Sequence, residues 1–286
     1  MIEVEVFDDR RCHLGEGPSA SGKNNEIITW VDIINGKVLS KNLETSEKNE
    51  YQLNEHVGFA LPRTNGGEVL GVNSGPLLRD KDGKTTKLPG REKDQIKTRW
   101  NDAKVSPTGE IFLGTLTYDL VPDQSALYKI SKDGTEIKKI MSEITLANGL
   151  DWSVDGQTFY FIDSLKHCVY AFNYDGKNIS EKRIVIQFDS NTIPDGMCVD
   201  SEDGLWIAFW DGSEVRRFDE KYKLSEKIEF PVKNTTSCCF AGKELDQLIV
   251  TSAHDGKPEI NKQAGLTFIC KPGIKGKKTT PFELQK

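Results

Sequence analysis

What this 286-residue chain lacks narrows its function before any motif is weighed. It has four histidines, His13, His56, His167 and His254, far apart and with no Ser or Cys nucleophile motif around them. Classical Ser–His or Cys–His catalysis therefore fares poorly. The six cysteines include no Cys-x-x-Cys, and a disulfide framework would be unusual at this length, so buried reduced thiols are expected. No apolar stretch is long enough to span a bilayer. The opening Met1-Ile-Glu-Val-Glu-Val-Phe-Asp lacks the basic and apolar regions of a signal peptide. The expectation is a cytoplasmic protein without a membrane partner. Net charge is −6 with no concentrated cationic footprint, which argues against nucleic acid. The basic stretch Lys271 to Lys278 is diluted by Pro and Gly and reads as a solvated loop. A sustained, capped helical period is missing too.

What the chain does have is a repeat. Asn101-Asp102, Asn148-Gly149 and Asp195-Gly196 follow one another at intervals of 47 residues. Each leads into a short apolar stretch, a Gly-containing turn and a strong β-run. Strand cores centre on Ile28, Leu70, Phe112, Phe159, Trp206 and Ile249, spaced by 42 to 47 residues. That is the period of four-stranded propeller blades. Period-2 strands joined by Asp-Gly turns, such as Lys132-Asp133-Gly134 and Tyr174-Asp175-Gly176, supply the second hairpin of a blade. The pattern predicts an all-β, six-bladed β-propeller with four antiparallel strands per blade, forming one domain over residues 1–286. The run Ile2 to Phe7 would add the outer strand of the last blade and close the ring.

Asn-Gly and Asp-Gly are common hairpin turns, but each repeat already has its turn eight or nine residues downstream. The dipeptides therefore sit at the other end of the first, innermost strand of a blade, around one mouth of the central channel. Glu16, in Gly15-Glu16-Gly17-Pro18, precedes its own turn cluster by a similar distance. Glu16, Asn148 and Asp195 together offer two carboxylates and one amide carbonyl. Such an oxygen set suits one divalent cation, Ca²⁺, Mg²⁺ or Mn²⁺, with Zn²⁺ also tolerated, and leaves positions open for water and substrate. Arg99 and Asn101 offer hydrogen-bond donors to a polar substrate, although Arg99 taken without its neighbours reads equally as a surface residue. Trp152, Trp206 and Phe159 read as blade core, and core packing is the favoured reading of Trp210 as well. His254 reads as structural, and Asp80-Lys-Asp-Gly83 as a hairpin turn rather than a calcium loop.

Gly-Glu-Gly-Pro at 15–18, Arg-Trp-Asn-Asp at 99–102, Asn-Gly-Leu-Asp-Trp-Ser at 148–153, Tyr-Phe-Ile-Asp-Ser at 160–164 and Pro-Asp-Gly-Met at 194–197 resemble the senescence marker protein (regucalcin), gluconolactonase and luciferin-regenerating enzyme family. The resemblance spans essentially the whole chain. It implies a six-bladed propeller with one divalent metal at the channel mouth, ligated by Glu16, Asn148 and Asp195. It also implies substrate contacts at Arg99 and Asn101, and a further one at Asp119, where some members carry Glu. Trp100, where smaller apolar residues are common, is expected to narrow or orient the site. The leading expectation is metal-assisted hydrolysis of a sugar lactone to its aldonic acid, with Asp195 accepting the proton of the attacking water. Two alternatives stand beside it. One is hydrolysis of non-sugar lactones or phosphotriesters at the same metal, and the other is a non-catalytic metal-binding propeller.

Overall fold

The structure, a computed structural model, describes residues 2–91 and 98–285. Among these residues the strands form six four-stranded antiparallel sheets, arranged as a six-bladed β-propeller. The inner strands, in blade order, are Gly15–Ser21, Val57–Pro62, Thr98–Val105, Ala147–Trp152, Ile193–Val199 and Asn234–Ala241. Each touches the next, and the sixth touches the first, so together they enclose a central channel. Val4–Asp8 pairs with Thr267–Cys270 as the outermost strand of blade 6, which closes the ring as the sequence predicts.

The core is a set of layers between blades, because a β-strand sends alternate side chains to opposite faces. Ile28 and Trp30 of blade 1 pack with Cys239 and Ile249 of blade 6, while Val31 and Val38 face Val57 and Leu70 of blade 2. The six strand centres read from the sequence all lie on the second strand of a blade and are 0% exposed. Burying an Ile or Phe side chain is worth about 1.5–3 kcal/mol. These residues therefore fix each blade against its neighbour and hold the inner strands in place.

Two ends of the channel result. The mouth lies at the start of the inner strands, and the base at their finish. The C-terminal segment crosses the base: Ser201 N–H donates to the Lys275 carbonyl (2.9 Å), and Phe282 N–H donates to the Pro62 carbonyl (2.8 Å). Phe282 is fully buried between blades 2 and 3. All six cysteines are free and buried, matching the thiol expectation. Among the described residues no helix is long and apolar enough to cross a membrane.

Candidate metal centre

Every inner strand carries a β-bulge at the same place. In blade 3, Asn101 and Asp102 lie between the pairs Trp100–Thr115 and Ala103–Leu113, two residues facing one. Asn148-Gly149 and Asp195-Gly196 are the same bulge in blades 4 and 5. The repeated dipeptides are thus neither turns nor strand ends; they are the extra residues that re-aim side chains next to a site. Their glycines answer to close packing. A Cβ on Gly149 would lie 2.6 Å from Met197 Cγ, and one on Gly196 would lie 2.1 Å from Ser237 Oγ. Blades 1, 2 and 6 place Gly17-Pro18, Gly58-Phe59 and Thr236-Ser237 at the bulge. The Thr236 hydroxyl is spent on the Gly15 carbonyl (2.5 Å), so polar bulge side chains reach the mouth from blades 3 to 5. Glu16, one residue before its bulge, joins them from blade 1.

Glu16, Arg99, Asn101, Asn148 and Asp195 line one cavity of about 360 Å³ at the mouth. Each is at most 7% exposed. Arg99 Nη1 donates to Asn101 Oδ1 (2.6 Å) and to the Trp100 carbonyl (3.1 Å). Asn101 Nδ2 donates to Asn148 Oδ1 (2.6 Å) and to the Ala147 carbonyl (2.7 Å). Asn148 Nδ2 in turn donates to Ser164 Oγ (2.8 Å), which fixes the orientation of its amide. Asn101 therefore works first as the residue that aims the Asn148 carbonyl.

Glu16 and Asp195 lie close enough to act on each other, and both are held away from ionisation. Burial, followed by the Asp102 charge, pushes Glu16 up to about 8. Burial, followed by Glu16 itself, raises Asp195 well above the usual carboxylate range. Burial pulls Arg99 down to about 10, which leaves it cationic at neutral pH. Two buried carboxylates thus face a single guanidinium. A divalent cation fits this donor set: it would relieve the carboxylate repulsion, and the Asn148 carbonyl has a second lone pair to offer. Among the described residues no group of three or more His, Cys, Asp or Glu is placed to hold a metal.

Other expectations fare differently. Asp119 is exposed and does not line the cavity; its neighbours Tyr118 and Leu120 do. The turn closed by Leu120 N–H and the Thr117 carbonyl (3.0 Å) presents those two instead. Trp100 is 1% exposed in the layer between blades 2 and 3, edge-on to Tyr128, and does not shape the cavity. Trp210, read as core, lines the cavity, whereas Trp152, Trp206 and Phe159 are core as expected. The His254 ring lies tilted against that of His13, centroids 4.9 Å apart, outside the cavity lining. The segment Lys271 to Lys278 is not wholly solvated: Lys277 Nζ reaches Asp151 (2.8 Å), which also holds Lys104 (2.8 Å). Nothing in the repeat pattern marks Lys277, because the C-terminal strap lies outside it.

With that geometry in place, comparison with known proteins places the chain. Residues 14–254 match the model of the SMP-30/Gluconolactonase/LRE-like region. The chain belongs to this family. Regucalcin from Gallus gallus is 35% identical over 297 residues, covering 98% of both chains. The structure of a calcium-binding protein, regucalcin, from Agrobacterium tumefaciens superposes with a TM-score of 0.92 at 24% identity, covering 99% of this chain and 98% of that one. A gluconolactonase from Xanthomonas campestris superposes with a TM-score of 0.78 at 19% identity, covering 94% and 89%. These solved structures share the propeller; one is named a calcium-binding protein and the other a gluconolactonase.

Proposed function

We propose that this chain is a divalent-cation-dependent lactonase that opens a cyclic ester at the channel mouth. Sugar-acid lactones are the substrates the gluconolactonase relatives suggest. The observation that supports the reading is the convergence of Glu16, Asn148 and Asp195 beside Arg99 and Asn101 in one cavity. Glu16, Asn148 and Asp195 would hold the cation. When bound, it supplies Lewis-acid polarisation of the ester carbonyl and a lowered pKa for a bound water.

The chain's own residues do the rest. Arg99 offers its cationic guanidinium to the substrate oxygens, with one nitrogen already fixed by Asn101. A carboxylate oxygen of Asp195 accepts a proton from the attacking water. The water oxygen bonds to the acyl carbon, the ring C–O bond breaks, and the ring oxygen leaves as a hydroxyl carrying the proton. One water is added overall, and the product is a hydroxy acid. The reading is tested with D-glucono-δ-lactone and other lactones on metal-stripped protein reconstituted separately with Ca²⁺, Zn²⁺, Mn²⁺ and Mg²⁺. Cation-dependent ring opening is expected; cation binding without turnover across the panel would favour a non-catalytic propeller. A second reading, a non-sugar lactone, is favoured by the apolar composition of the cavity above its polar floor.

A further inference from the structure

The five polar residues of the mouth cavity all stand on inner strands and form its floor. The other nine of its fourteen lining residues are apolar or aromatic, and seven of those are Leu or Ile. They come from strand ends and connecting segments at the rim: Ile34, Leu120, Leu146, Leu165 and Ile193 among them, with Trp210. Most are only half-buried and Leu120 is exposed, so this is an uncovered hydrocarbon collar rather than core.

The two floor amides are largely committed, which leaves Arg99 as the floor's donor for the ester. Both Asn101 amide hydrogens and its oxygen have protein partners, and Asn148 gives its amide to Ser164. Asp119 does not line the cavity. The Tyr118 hydroxyl is engaged by His56 Nδ1 (2.9 Å) and Asn73 Nδ2 (2.8 Å). Each ring hydroxyl of a sugar lactone, set against Leu and Ile, would lose hydrogen bonds to water without replacement. An alkyl chain in the same place would bury methylenes.

We infer that the preferred substrates are lactones bearing an alkyl substituent on the ring carbon next to the ring oxygen. The floor takes the ester and the collar takes the chain. This rests on the lactonase reading: water adds to the acyl carbon, and the product is an alkyl-substituted hydroxy acid.

The test compares kcat/KM of the cation-loaded protein for δ-valerolactone, δ-nonalactone and D-glucono-δ-lactone. Each buried methylene is worth about fourfold, so δ-nonalactone should exceed δ-valerolactone by at least about tenfold and should also exceed the gluconolactone. Leu120→Asn and Leu165→Asn, at partly exposed positions, should bring the δ-nonalactone to δ-valerolactone ratio toward one. Equal or better turnover of gluconolactone overturns the inference and leaves the lactonase reading standing. Turnover of none of the three overturns the lactonase reading instead. Calorimetric binding of 5-hydroxynonanoate and gluconate then decides the collar separately: tighter 5-hydroxynonanoate supports it, equal or weaker binding overturns it.

Discussion

At the base of the channel Asp151 lies between two ammonium groups, Lys104 and Lys277, each 2.8 Å away. At the mouth Glu16 and Asp195 lie against each other with one guanidinium nearby. The same inner strands supply both ends, and burial at both ends favours the neutral carboxyl. The outcomes are opposite. Burial would raise Asp151, but Lys104 and Lys277 more than offset it and hold it below the usual range. Glu16 and Asp195 have no such compensation and are held above it. The cavities differ likewise, about 50 Å³ at the base and about 360 Å³ at the mouth. Asp151, neutralised by two lysines, serves the fold, whereas Glu16 and Asp195, with only Arg99 between them, are the acids we propose to hold an external cation.

The contrast breaks most visibly at Asp195. Asp195→Ala should lower kcat/KM for any lactone by at least about 100-fold; near-normal turnover in steady-state assays would remove Asp195 from the chemistry. Asp151→Asn should leave two lysines without their carboxylate and cost about 3 kcal/mol of stability in urea unfolding. Its calcium affinity should stay within about twofold of the parent.

The pH dependence sharpens the same contrast. Glu16 goes from 4.5 to about 8 on folding, so the metal-free fold keeps a proton that the unfolded chain releases. Its stability therefore falls as pH rises from about 4.5 to about 8. A cation needs the ionised pair, so the rise in Tm on adding Ca²⁺ should be larger at about pH 8 than at about pH 5; an equal rise would erase the distinction. Lys277→Ala should have the smallest effect, about 1 kcal/mol, because Lys104 remains on Asp151.

The blades were legible because a period of 42 to 47 residues over strand centres is a repeated physical demand, the same layer built six times. The positions of Asn101, Asn148 and Asp195 were legible for the same reason, since a bulge recurs at one phase of the repeat. What escaped the pattern is what lies outside it. The collar residues sit at strand ends and on connections, where the strand period no longer says which side a residue faces, so Trp210, the last residue of its strand, read as core; the Asp119 contact came from the resemblance alone, and Asp119 does not line the cavity. Lys277 arrives on a strap that belongs to no blade. The glycines of Asn148-Gly149 and Asp195-Gly196 signalled turns by composition, yet they serve the close approach of neighbouring inner strands, which only the assembled ring reveals.

The proposal that the mouth holds a cation is tested most directly by isothermal titration of Ca²⁺ into chelator-stripped protein near pH 7.5, in buffers of different ionisation enthalpy. The account predicts one site per chain, proton release on binding, and loss of both in Glu16→Gln and Asp195→Asn. Binding that is absent in the parent, or that persists unchanged in both variants, would contradict it.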